Sequence, residues 1–200
     1  MSMAPTGTQP SLHASDLAKS PNPIARHYAR FRVAERMLLS GHSHQAWPDV
    51  GFEGQMEAWT DAAEYVDEKW SRAEAKAERV RRGYAKLLGD REGSIGLAPN
   101  THDLLVKLIS ALPLQKRPKL VTTDGEFHTI RRQLDRLSEE KWIEIVKVSA
   151  SPAASIAERL VAATDDRTAA VLASSILYKN AHVVPNLRAV AEHCANVGAE

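Results

Sequence analysis

Three short segments carry residue types suited to holding anions and flat heteroaromatic ligands. The first is Asn100-Thr101-His102-Asp103, which opens a helical pattern. The first N–H groups of a helix lack intrahelical partners and sit at the positive end of its dipole, so a phosphate there is stabilised without a lysine. The same residues also suit a plain helix cap, with Asp103 complementing the dipole. The second segment, Thr123-Asp124-Gly125-Glu126-Phe127-His128-Thr129, pairs a turn-forming glycine with an aromatic ring. A ring placed there either packs on the protein or stacks on a heteroaromatic ligand, which is worth about 1 kcal/mol beyond burial. The third, Ser174-Ser175-Ile176-Leu177-Tyr178-Lys179-Asn180, offers hydroxyls and a Tyr-Lys pair to ligand oxygens. A glycine-rich phosphate signature is absent, so no nucleotide reading is supported.

Histidines form a second group. His42 and His44 flank Ser43 in the polar and aromatic stretch 40–48. A His-x-His pair binds a divalent metal only when a third ligand joins it, and none has matching spacing, so no metal is expected. Neutral imidazoles and a hydroxyl at His42, Ser43 and His44 fit a substrate carboxylate instead. His128, next to Phe127, is a further candidate for substrate contact.

These segments need elements to position them. Apolar residues at helical spacing run from Ile24 to Leu39. A long helical pattern covers Val50 to Leu88, broken near Thr60-Asp61, where a second helix can be capped, and Gly89 suits its left-handed end. Then strands and helices alternate. Ser94–Ala98 is a short apolar run, Leu104–Leu112 a helix, Lys119–Thr123 a strand, and Thr129–Glu140 a helix. Trp142–Val148 follows as a strand, Ala153–Ala163 as a helix, Ala169–Ser174 as a strand, and Pro185–Asn196 as the last helix. Such alternation predicts an α/β fold, with a mainly parallel sheet flanked by helices and an N-terminal helical segment. Ligands in these folds bind outside the carboxyl ends of the strands, which selects loops 98–103, 123–129 and 174–182.

Composition narrows the class. The net charge of +1 comes from 26 basic and 25 acidic residues, well mixed along the chain, so no long-range field draws nucleic acid or anionic lipid. One cysteine, Cys194, excludes an intrachain disulfide and suits a reducing, cytoplasmic setting. No apolar run approaches the length of a membrane span. Residues 1–23, with Pro5, Pro10, Pro21 and Pro23 and no hydrophobic signal core, read as a flexible arm. Residues 24–60 read as a helical segment with the His42–His44 loop, and 61–200 as the beginning of a larger α/β domain.

Taken in order, the run from Leu97 through Asp124-Gly125-Glu126-Phe127-His128-Thr129 to Tyr178-Lys179-Asn180 resembles kynureninase and its relatives in the class V aminotransferase superfamily. The resemblance covers about residues 35–200, and Gly41-His42-Ser43-His44 lies where kynureninases have a substrate loop. It implies a fold type I enzyme that uses pyridoxal 5'-phosphate, forms a homodimer and acts on a small amino-acid substrate. In the kynureninase form, a Cβ–Cγ bond is cleaved hydrolytically, giving anthranilate and alanine from kynurenine. By resemblance Asn100 and Thr101 hold the cofactor phosphate and Phe127 stacks on its ring. The family's Schiff-base lysine and the aspartate facing the pyridine nitrogen are expected beyond residue 200, and weak or no catalysis is expected of these 200 residues alone. Lys179 matches a family lysine that is not the Schiff-base residue. Two departures, Ile130 where kynureninases have an aspartate and His42-Ser43-His44-Gln45 in the substrate loop, leave other branches open. Cysteine desulfurase-like or selenocysteine lyase-like chemistry, or a noncatalytic α/β module that retains the cradle, are the alternatives.

Overall fold

The computed structural model describes residues 14–17, 19, 22–36, 38 and 45–200. The chain divides into two compact units, Met1–Gly93 and Ser94–Glu200.

In the first unit, α1 is one turn, Ala14–Leu17, within the stretch read as an arm. The helix expected over 24–39 is instead two 3-10 turns, Ala25–Phe31 and Val33–Glu35, separated by Arg32 at φ 53°. Polar contacts from further along the chain favour these turns over a regular helix: the Asp49 carboxylate accepts from the N–H groups of Ala29 and Arg30, each at 3.0 Å. Arg30 also lies over the Phe52 ring at 3.8 Å. Helix α2 spans Asp49–Tyr65 and α3 spans Lys69–Leu88. The break falls at Val66, φ 40°, and not at Thr60-Asp61. Thr60 bonds back to the Met56 carbonyl inside α2, and Asp61 is buried against Arg72 at 2.8 Å. That ion pair ties α2 to α3. A boundary at 60/61 therefore cuts a helix, whereas the division of the chain lies at 93/94. Helix α3 is built from strong helix formers with Glu74–Arg81 and Glu78–Arg82 pairs along it. Gly89 ends it at φ 69°, its N–H returning to Ala85 and Lys86 carbonyls as expected of a left-handed cap.

The second unit is α/β. Helix α4, Thr101–Ala111, leads to β1, Lys119–Thr123; α5, His128–Glu139, leads to β2, Glu144–Val148. A 3-10 turn at Ala153–Ser155 then opens α6, Ile156–Ala163, followed by β3, Thr168–Leu172, and α7, Leu187–Val197. All three strands are parallel, in the order β2-β1-β3. Every residue of β1 is buried, the expected state of a central parallel strand covered on both faces. Leu120 packs with Leu105, Ile109 and Leu134 of α4 and α5, while Val121 packs with Ile156, Leu160 and Val190 of α6 and α7. Period-two alternation along β1 thus sorts the helices into two layers. The apolar run Ser94–Ala98 is not a strand and pairs with none of the three. Gly96 at its centre, with no side chain to pack, weakens it as a strand. The backbone of Glu200 does pair with β3, accepting from Val171 N–H at 2.9 Å and donating to the Ala169 carbonyl at 3.0 Å, the pattern of a parallel neighbour. No described helix is long and apolar enough to cross a membrane.

Candidate functional site

The strand order decides where a site can form. From β1 the chain turns through α5 to β2, then through α6 past β1 to β3, with α5 and α6 on opposite faces. The loops after β1 and β2 therefore leave the sheet in opposite directions, and a crevice opens between the carboxyl ends of the strands. It is a cavity of about 460 Å3 whose walls include Asp124, Gly125, Ser149, Ser151, Lys179 and Asn180. Its floor is tight. Asp124 accepts from the Ala150 N–H at 2.7 Å, and a Cβ on Gly125 would lie 2.6 Å from Ala150 Cβ. Only glycine lets the two loops approach this closely.

Beside the crevice stands an aromatic cluster. Phe127 precedes the first residue of α5, and its ring lies 4.2 Å from His128 and 5.0 Å from Tyr178, the latter edge-on. His128 and Tyr178 are 5.8 Å apart. Tyr178 comes from the loop after β3, which folds back on itself: Leu177 N–H donates to the His182 carbonyl and Val184 N–H to that of Ser175, both at 2.9 Å. Two loops distant in sequence thus meet at one aromatic surface.

What joins them is Glu126. Its side chain is buried, 4% exposed, and faces neutral donors. One oxygen accepts from Thr123 Oγ1 at 2.9 Å and from Ser174 N–H at 3.0 Å, and the other accepts from Ser174 Oγ at 2.5 Å. A buried carboxylate is tolerated only with such a set of partners. Sequence reading passed over Glu126 as a site residue because a glutamate in a loop is ordinarily exposed. The hint was that it lies between a strand end and an aromatic residue, with serines ending the strand that becomes its neighbour.

Asn100 is the cap of α4: its Oδ1 accepts from Asp103 N–H at 3.0 Å, and its Nδ2 donates to Asp103 at 3.4 Å. The N–H groups of Thr101 and His102 have no protein acceptor among the described hydrogen bonds, and both residues are exposed. The first turn of α4 therefore keeps the donors an anion needs, although Asp103 already answers part of the dipole. No hydrogen bond or ring contact joins Asn100 or Thr101 to the Phe127 cluster, and none of these residues lines the crevice. Phe127 and His128 are brought together; Asn100 and Thr101 form a separate feature. His42, Ser43 and His44 lie outside the described residues. Ile130 packs among the apolar residues between α4, α5 and the sheet. Its side chain serves the core, where an aspartate would be costly. Among the described residues, no three His, Cys, Asp or Glu side chains gather as metal ligands do.

No protein-family model matches the chain, and no curated protein matches its sequence.

For pyridoxal phosphate the described residues fit two of the needs. Unpaired N–H groups at the start of α4 suit a phosphate and the half-buried Phe127 ring suits a pyridine, as two features that no protein contact joins. Lys179 borders the crevice and carries no assigned role in holding the cofactor.

Proposed function

We propose that this chain is a pyridoxal-phosphate-dependent enzyme of the kynureninase-like branch of class V aminotransferases, and that residues 94–200 belong to its fold type I cofactor-binding domain. The observation that carries the reading is the Phe127 ring, fixed at the carboxyl edge of a parallel sheet by a loop that Glu126 ties to the loop after β3. Thr101 and His102 N–H groups would hold the phosphate, with Asn100 shaping the turn that presents them. Phe127 would stack on the ring while Tyr178 braces it edge-on. His128, in contact with Phe127, would meet the substrate. When bound, the cofactor supplies an electron sink for bond cleavage at an amino-acid substrate. In the kynureninase form the products are anthranilate and alanine.

The test is titration of the chain with pyridoxal phosphate, followed by cofactor absorbance and tryptophan fluorescence. Saturable binding is expected, weakened about tenfold by Phe127→Ala, the loss of roughly 1.4 kcal/mol of stacking. Borohydride reduction followed by mass spectrometry is expected to leave Lys179 unmodified. Binding unchanged by Phe127→Ala, or none at all, refutes the reading.

A further inference from the structure

Helix α3 carries an apolar stripe that its own hairpin leaves uncovered. Its partner α2 engages the side of α3 bearing Arg72 and Lys76, through Asp61 and Glu57. Adjoining that side, about a quarter-turn round the helix and at alternating spacings of three and four, run Trp70, Ala73, Ala77, Val80, Tyr84 and Leu87. That is the spacing of a helix–helix seam. Trp70 is 70% exposed and Leu87 81%, values foreign to a finished surface for residues of this size.

The stripe is complementary to itself when a second copy is laid antiparallel. Set Ala77 opposite the partner helix's Val80, and every other layer follows. Trp70 then meets a leucine, Leu87 in the other copy, and Ala73 meets Tyr84. Each large side chain finds a smaller one, which is how layers interdigitate without voids or clashes. Charge obeys the same two-fold. Glu74 and Arg81 lie on one flank of the stripe and pair with each other along the helix at 2.5 Å. In the antiparallel arrangement each also falls within reach of its opposite number across the axis. On the other flank Lys76 approaches Gly83, so no like charges collide. A parallel pairing would instead stack Trp70 on Trp70 and Tyr84 on Tyr84, and would set Arg81 beside Lys76 of the other copy.

We propose that α3 is a self-association surface and that two copies of this chain pair through it, antiparallel, about a two-fold axis near Ala77–Val80. The symmetry is of the isologous kind that closes a dimer. The inference stands independently of the cofactor chemistry proposed above.

Analytical ultracentrifugation of the full chain tests it. A dimer is expected. Val80→Arg, which places two charges at the axis, is expected to raise the dimer dissociation constant at least about 100-fold with the far-UV circular dichroism unchanged. Should Val80→Arg disturb the fold, a charge exchange replaces it: Glu74→Arg weakens the dimer and Glu74→Arg with Arg81→Glu restores it. Direction is read by crosslinking in a Cys194→Ala background. Ala73→Cys with Tyr84→Cys is expected to give a reducible covalent dimer, and Ala73→Cys alone is not. A monomer at 100-fold the working concentration overturns the proposal. So does a dimer indifferent to both Val80→Arg and the charge exchange, or a covalent dimer from the single Ala73→Cys chain.

Discussion

Replacing Glu126 isolates the link between the two loops that form the aromatic surface. In Glu126→Ala three donors lose their acceptor at once: Thr123 Oγ1, Ser174 Oγ and Ser174 N–H. The hydroxyls rotate toward other acceptors, but the backbone N–H cannot. Hydrogen bonds to a charged group contribute about 1.5–3 kcal/mol each net, and the two re-orientable donors recover part of that. Adding the cavity left by the side chain, Glu126→Ala is expected to cost about 3–5 kcal/mol. For a unit of this size that lowers Tm by about 15 °C or more. Glu126→Gln keeps the shape and one carbonyl oxygen, and Ser174 Oγ can turn to accept from the new amide, so its cost is about 1–2 kcal/mol. The assay is urea unfolding followed by far-UV circular dichroism, with the denaturant slope checked for constancy so that a midpoint shift reads as stability. An alanine variant within about 0.5 kcal/mol of the parent refutes the argument. So does a glutamine variant as damaged as the alanine one, because the loss would then not be one of unmet donors.

Other outcomes follow from the same geometry. Lys119, buried in β1, pairs with Asp165 at 2.7 Å, and its hydrogen bond holds the Asp165 carboxyl below the usual carboxylate range. A carboxyl lowered in the folded state stabilises above its unfolded pKa, and that contribution is lost as pH falls through the folded value. Lys119→Met should flatten the dependence of the urea midpoint on pH below about 4, and an unchanged slope counts against the pair. Gly125→Ala forces its Cβ against Ala150 and is expected to cost about 1–3 kcal/mol, relieved in the Gly125→Ala, Ala150→Gly double variant. A double variant no better than the single one removes the steric explanation. Asn100→Ala should lower stability by about 1 kcal/mol through the lost cap, read from the same urea curves, whereas Asn100→Asp should retain most of it.

Much of the second unit was legible from periodicity. The span of β1 and the order of helices and strands followed from alternation of apolar runs, because a strand buried on both faces and an amphipathic helix impose different repeats on the chain. Gly89 was legible as a left-handed cap because its conformation is a local matter. The failures share a cause too. The pattern over 24–39 has helical spacing, but Asp49 takes the N–H groups of Ala29 and Arg30 from elsewhere in the chain. Ser94–Ala98 has strand-like residues, but a strand exists only where a neighbour's hydrogen bonds receive it.

By itself, then, the sequence determined an α/β class, a parallel sheet, and that the loops after β1 and β3 lie at its carboxyl edge; loop 98–103, also expected there, follows no strand, and the loop after β2 that lines the crevice was not among those expected. It also determined that Phe127 stands beside a strand end, since these depend on residues close together along the chain. Tertiary structure alone decided that Glu126 is buried and tied to Ser174, that Tyr178 returns to Phe127, and that Asn100 and Thr101 stand apart from that cluster. Those facts depend on pairings across dozens of residues. Such pairings follow from strand order and from which donors reach a buried carboxylate, and neither leaves a repeat in the sequence.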